Sequence, residues 1–71
     1  MSVELDTALP SVRIIGGYIR EKKDIEFQLT TNEKLTGQIR WQDPLYIGVA
    51  DAAGKIVLVS RHAIAYLHEK A

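Results

Sequence analysis

The run Lys34-Leu35-Thr36-Gly37-Gln38-Ile39-Arg40-Trp41 constrains this chain more than any other stretch. It reads as a strand with a glycine at its centre. By the period of two, Leu35, Gly37, Ile39 and Trp41 share one face, and Thr36, Gln38 and Arg40 share the other. A glycine inside a strand weakens it unless a bulge, a sharp bend or a neighbouring backbone needs the missing side chain. We read Gly37 as a bend point. One short strand then serves both halves of a small, strongly curved sheet.

The flanking segments fit that reading. Pro10 suits the first turn of a helix, where its missing N–H costs nothing. Val12, Ile15 and Ile19 follow at helical spacing, which predicts a helix over Pro10–Glu21. Gly16-Gly17 weakens it by about 1 kcal/mol per glycine. Tertiary packing must then hold it, and the pair could bring the helix close to a sheet. Ile25, Phe27 and Leu29 alternate with Glu26 and Gln28 as a half-buried strand. Residues 30–33 are turn formers, with Asn32 tolerant of positive φ. Asp43-Pro44 ends the bent strand. Further strands are predicted over residues 45–50, with Leu45, Ile47 and Val49 on one face, then 55–59 and 63–67. Residues 51–54 form a turn and 60–62 a short corner.

One helix and five short strands with tight connections give a mainly β protein. Sequential strands are antiparallel neighbours, and so many short strands curl into a small open barrel of SH3-like or OB-like size. The chain has 71 residues, which bounds it to one domain over 10–71, with 1–9 as a flexible N-terminus. A core this small supplies on the order of a few kcal/mol. There is no cysteine, so disulfides and thiolate metal sites are excluded. Association with further copies is the remaining source of stability. The fourth strand supports this, because Ile56-Val57-Leu58-Val59 is apolar on both faces and makes a poor wet edge. Pairing it with the fifth strand of a neighbour is head-to-tail and closes a ring if the rotation permits.

Formal net charge is zero, so charge alone gives no support for nucleic-acid binding, although a local basic patch remains open. No apolar run reaches membrane-spanning length, and no leader pattern opens the chain. Both point to a soluble cytoplasmic protein. Two histidines without a cysteine or carboxylate pattern predict no metal site and no cofactor. Ser60 near His62 lacks an orienting acid, so no catalytic residue is assigned.

Two motifs in order resemble Hfq, the bacterial Sm-like (LSm) family. Ile25-Glu26-Phe27-Gln28-Leu29-Thr30-Thr31-Asn32-Glu33-Lys34-Leu35-Thr36-Gly37-Gln38-Ile39, with Asp43 after it, is similar to the first Sm motif. Val59-Ser60-Arg61-His62-Ala63-Ile64 is similar to the second, in its Hfq version. Leu9-Pro10-Ser11-Val12-Arg13 and Arg40-Trp41-Gln42-Asp43 look most like the cyanobacterial branch. The resemblance implies a helix-capped barrel and a homohexameric ring. It also implies an RNA chaperone that acts in post-transcriptional regulation on small regulatory RNAs and messages.

Carried over position by position, the resemblance implies a proximal pore face at Arg61 and His62, with Ser60 where the family often has tyrosine. Leu45 stands where a base-stacking aromatic is usual, and Pro44 where glutamine is usual. Uridine binding is then weakened, since stacking on an aromatic is worth roughly 1–3 kcal/mol per base. Gln28 replaces the adenine platform of the distal face, with Asn32, Lys34 and Thr36 nearby and Glu33 repelling phosphate. The rim patch is Arg20, Lys22 and Lys23, diluted by Glu21 and Asp24. Subunit contacts fall on Ile56, Val57, Leu58, Val59, Ile64 and Tyr66. Trp41 is expected to pack, and Asp43 to accept backbone hydrogen bonds in its turn. Alternation turns Tyr46 away from Leu45, so it is not counted as a substitute for the missing aromatic. The main alternative is a ring that docks a protein partner and has little RNA affinity, which the resemblance links to pilus-based motility. A monomeric SH3-like peptide binder is the third reading.

Overall fold

The computed structural model describes residues 4–70. Met1 to Val3, part of the expected flexible N-terminus, and Ala71 lie outside them. Helix α1 spans Pro10–Glu21, with Pro10 in its first turn. It ends at Lys22 in the left-handed region, φ 53°. Lys22 N–H donates to Ile19 O and Lys23 N–H to Tyr18 O, which satisfies two of the last four carbonyls of the helix. Val12 and Ile15 are its buried residues. The glycine pair does not bring α1 down onto strand backbone. A methyl on Gly16 would meet only the side-chain ends of Arg20 and Gln42, and one on Gly17 only those of Arg20 and Glu21.

Five strands follow: β1 (Asp24–Leu29), β2 (Lys34–Gln42), β3 (Tyr46–Ala50), β4 (Ile56–Ser60) and β5 (Ile64–Glu69). They form one antiparallel sheet in the order β4-β3-β2-β1-β5. A single 3-10 turn, Arg61–Ala63, separates β4 from β5 in sequence, yet these strands are the two opposite edges of the sheet, so the expectation that sequential strands are neighbours fails at this corner. The first half of β2 pairs with β1, down to Gln38 opposite Asp24. From Gln38 onward β2 pairs with β3. One strand thus serves both halves, as its glycine suggested.

The curl is tight at Gly37. A methyl there would overlap the carbonyl oxygen of Ala50 and lie 2.7 Å from Val49 Cγ1. The end of β3 therefore folds over the inner face of β2. The core gathers inside the curl: Ile25, Phe27, Ile39, Ile47, Val49 and Val59, capped by Ile15 of α1.

Two further sequence expectations are corrected. The register of β2 against β3 shifts between Ile39 and Trp41. That extra residue moves Trp41 off the inner face, where strict alternation placed it, because one inserted residue exchanges the faces. Trp41 instead lies over Gly48, where any side chain would collide with its indole. Leu45 does not join β3. Its N–H is held by Asp43 Oδ1 at 2.8 Å, and its side chain is exposed rather than aligned with Ile47 and Val49.

Candidate nucleic-acid interface

The corner between β4 and β5 gathers Ser60, Arg61, His62 and Leu45. Arg61 N–H donates to Leu45 O at 2.9 Å, which ties the 3-10 turn to the loop before β3. The Arg61 side chain is half-buried. Nε donates to Asp43 O at 2.6 Å and Nη2 to Gln42 Oε1 at 2.6 Å. Gln42 Nε2 in turn donates to Val12 O of α1 at 3.0 Å. Arg61 also lines an open cavity of about 220 Å³ together with Glu4, Asp6, Leu9, Val12 and Pro44. His62 is exposed. The corner therefore carries one braced cation and one free imidazole. Ser60 is half-buried and pairs across the ladder with Tyr46.

Asp43 acts as a turn residue, as its position predicted. Its Oδ1 accepts from Tyr46 N–H at 2.6 Å and Leu45 N–H at 2.8 Å. These two amides, Tyr46 first, hold its carboxyl below the usual 3.8 against the opposing effect of desolvation, and the charge of Arg61 adds the least. The folded value is the lower one, so the stabilisation is complete above 3.8 and fades as pH falls through the folded value. Acid should loosen this turn. The difference in thermal midpoint between the parent and Asp43→Ala is expected to shrink as pH drops below 3.8.

On the outer face of β1 and β2, Gln28 pairs with Lys34 and Glu26 with Thr36. Gln28 turns its amide onto its own hairpin, with Nε2 at 3.3 Å from Leu29 O and 3.5 Å from Glu33 O. Asn32 takes the left-handed turn position, φ 75°. Lys34 and Thr36 are exposed. Tyr66 of β5 lies directly across from Gln28, with its ring stacked near His68 at 6.3 Å and 14°. His68 Nε2 is 3.7 Å from Glu26 Oε2.

The expected rim patch is divided. Arg20 folds back along α1 beside Gly16 and Gly17. Lys23 Nζ meets Glu69 Oε1 at 3.5 Å. Lys22 caps the helix. All three are exposed, but they do not converge on one point. Of the expected subunit contacts, Ile56, Leu58 and Tyr66 point outward, at 44, 57 and 56 % exposed. Val59 is buried in the chain's own core, and Val57 and Ile64 pack against it. Among the described residues, no three of His, Asp and Glu come together as a metal-holding group.

A family model described as Hfq related matches residues 9–69. The chain belongs to the Hfq-related family. It is similar to an Hfq protein from Anabaena sp. known from a crystal structure. The two share 35 % identity over 87 % of this chain and 98 % of that one, with a TM-score of 0.79. A second Hfq crystal structure, of a pleiotropic translational regulator, shares the fold at 16 % identity and TM-score 0.76, over 80 % of this chain and 93 % of that one. No curated protein matches.

Against the Hfq pattern, sequence reasoning misses two features of the site. Gln42 is the link between α1 and Arg61, but a glutamine at the end of a strand carries no signal of its long-range partners. Tyr46 is the other. Its pairing with Ser60 puts an exposed aromatic beside the very position where the family often has tyrosine. Alternation marks faces only, so it could not place Tyr66 opposite Gln28 without the register of the fifth strand against the first.

Proposed function

We propose that this Hfq-family protein assembles as a homohexameric ring through β4 and β5 and binds single-stranded, uridine-rich RNA at the Arg61–His62 corner. It acts there as an RNA chaperone in post-transcriptional regulation. The observation that carries this reading is the sheet order. Strands β4 and β5 are the two open edges of the sheet and do not pair with each other within one chain. Each edge therefore suits the other edge of a neighbouring copy, and Ile56, Leu58 and Tyr66 become covered along the seam. Six is the number the family resemblance supplies. Repetition around a pore concentrates Arg61 and His62 despite zero net charge. The reading assigns no catalytic residue, no metal and no membrane contact, and it keeps the protein in the cytoplasm. No helix among the described residues is long and apolar enough to cross a membrane.

Both base sites are weak in this reading. Leu45 offers no ring for uracil, and Gln28 offers none for adenine. Fluorescence anisotropy at a stated salt concentration tests it. Arg61→Ala and His62→Ala should each weaken oligo-U binding by about tenfold, the scale of one charge-assisted hydrogen bond. Oligo-A should bind more weakly than micromolar at physiological salt. Parental affinity in both variants would remove RNA from this face.

A second reading is a ring that docks a protein, with pilus-based motility as the linked process. It is favoured by the internal commitment of Arg61 and by the exposed Trp41 and Tyr46. Oligo-U affinity near zero in an intact ring, together with specific recovery of one protein from extract, would select it.

A further inference from the structure

Gln42 takes no part in RNA contact as proposed above, yet it joins three elements. Its amide is used at both ends, donating to Val12 O of α1 and accepting from Arg61 Nη2. Turning the amide over would set donor against donor at Arg61 and oxygen against oxygen at Val12, so only one orientation fits. Arg61 Nε is spent on Asp43 O. The side-on edge of the guanidinium, Nε and one N–H of Nη2, is thus consumed inside the subunit. Arginine carries five N–H groups in a rigid fork. Those left are on Nη1 and the far side of Nη2, the end-on edge, and no described residue accepts from them.

We propose that Gln42 is the positioning residue of the corner, fixing Arg61 so that its end-on edge is what an RNA phosphate meets. This rests on the reading of that corner as an RNA face. The arginine is ordered before RNA arrives, so binding does not bear the cost of fixing a long side chain. A lysine could not be held this way, because it lacks the planar fork that meets Gln42 and Asp43 together. The same amide bonds α1, so the pose of the helix and the pose of the cation are coupled.

The test is oligo-U affinity across a salt series for the parent, Gln42→Leu, Arg61→Ala and the double variant, with particle mass checked for each. Gln42→Leu keeps the charge of Arg61, so its salt slope should equal the parent's. Its affinity should fall about three- to tenfold, the cost of ordering one freed side chain. Arg61→Ala should flatten the slope by about 0.7 for each phosphate that is no longer neutralised. Adding Gln42→Leu to Arg61→Ala should then cost nothing more, because the two act as one unit. If Gln42→Leu does not fold, Gln42→Glu serves instead. It retains the acceptor and neutralises Arg61, and it should flatten the slope with the arginine still present. Parental affinity in Gln42→Leu beside a weak Arg61→Ala overturns the positioning role and leaves the RNA face standing, and additive losses overturn it equally. Parental affinity in Arg61→Ala overturns the positioning role, and the RNA face falls with it only if His62→Ala also binds as the parent does.

Discussion

With Ile56 and Leu58 both replaced by lysine, the protein should run as a single folded copy at concentrations where the parent runs as a ring. The two side chains point away from the chain's own core, so removing them leaves Ile25, Phe27, Ile39, Ile47 and Val49 packed as before. Their burial is available only at a seam with another copy. Fully burying such a side chain is worth roughly 1.5–3 kcal/mol. Ile56 and Leu58 are 44 and 57 % exposed, so about half of that is at stake for each of the two at every seam. Lysine on an edge strand is also the device by which soluble sheets avoid pairing, because its charge must be desolvated to let a second strand approach. Light scattering should give the mass of one chain, and far-UV circular dichroism should stay β-rich. Oligo-U affinity should fall with it, since one corner replaces a circle of them. A ring mass at micromolar protein would show that β4 is not the seam.

The sequence revealed its elements more readily than their faces. Helix α1 matches the predicted span because its signals are local: Pro10 at the start and apolar residues every three or four. Strand positions are also local, since alternation and turn residues mark them. What alternation could not give was the register shift after Ile39, which depends on how β3 lies against β2 and turns Trp41 outward. Leu45 was misplaced for a similar reason. Its backbone is captured by Asp43 two residues earlier, and that side-chain bond competes with strand pairing without leaving a mark on the hydropathy pattern. The corner is found from motif residues, but the use of Arg61 is not. Arginine in a motif looks like a ligand for phosphate, whereas half of its fork is committed to Gln42 and Asp43. Pairings between residues 18 and 19 positions apart are decided by the fold, and the fold is decided mainly by the apolar core.

Gly37→Ala should destabilise the fold more than any other single methyl added to a glycine of β2 or α1. The added carbon has no free direction to move. It overlaps the Ala50 carbonyl oxygen and stands 2.7 Å from Val49 Cγ1, and both belong to a strand pinned by its pairing with β2 and β4. Relief requires β3 to lift from β2 where the sheet curls most. Overpacking of this kind costs about 1–3 kcal/mol, a large share for a domain whose core supplies about 3–5 kcal/mol. At roughly 4–8 °C per kcal/mol for a chain this size, the thermal midpoint should drop by about 4 to 24 °C. Gly17→Ala is the matched control. There the methyl would meet only the side-chain ends of Arg20 and Glu21, each at 3.8 Å, and the helix gains up to about 1 kcal/mol of propensity. Opposite signs from the same chemical change would place the difference in the sheet's curl. Equal midpoints for Gly37→Ala and the parent would mean that β3 can lift freely, and the close approach would then not be what requires glycine at this position.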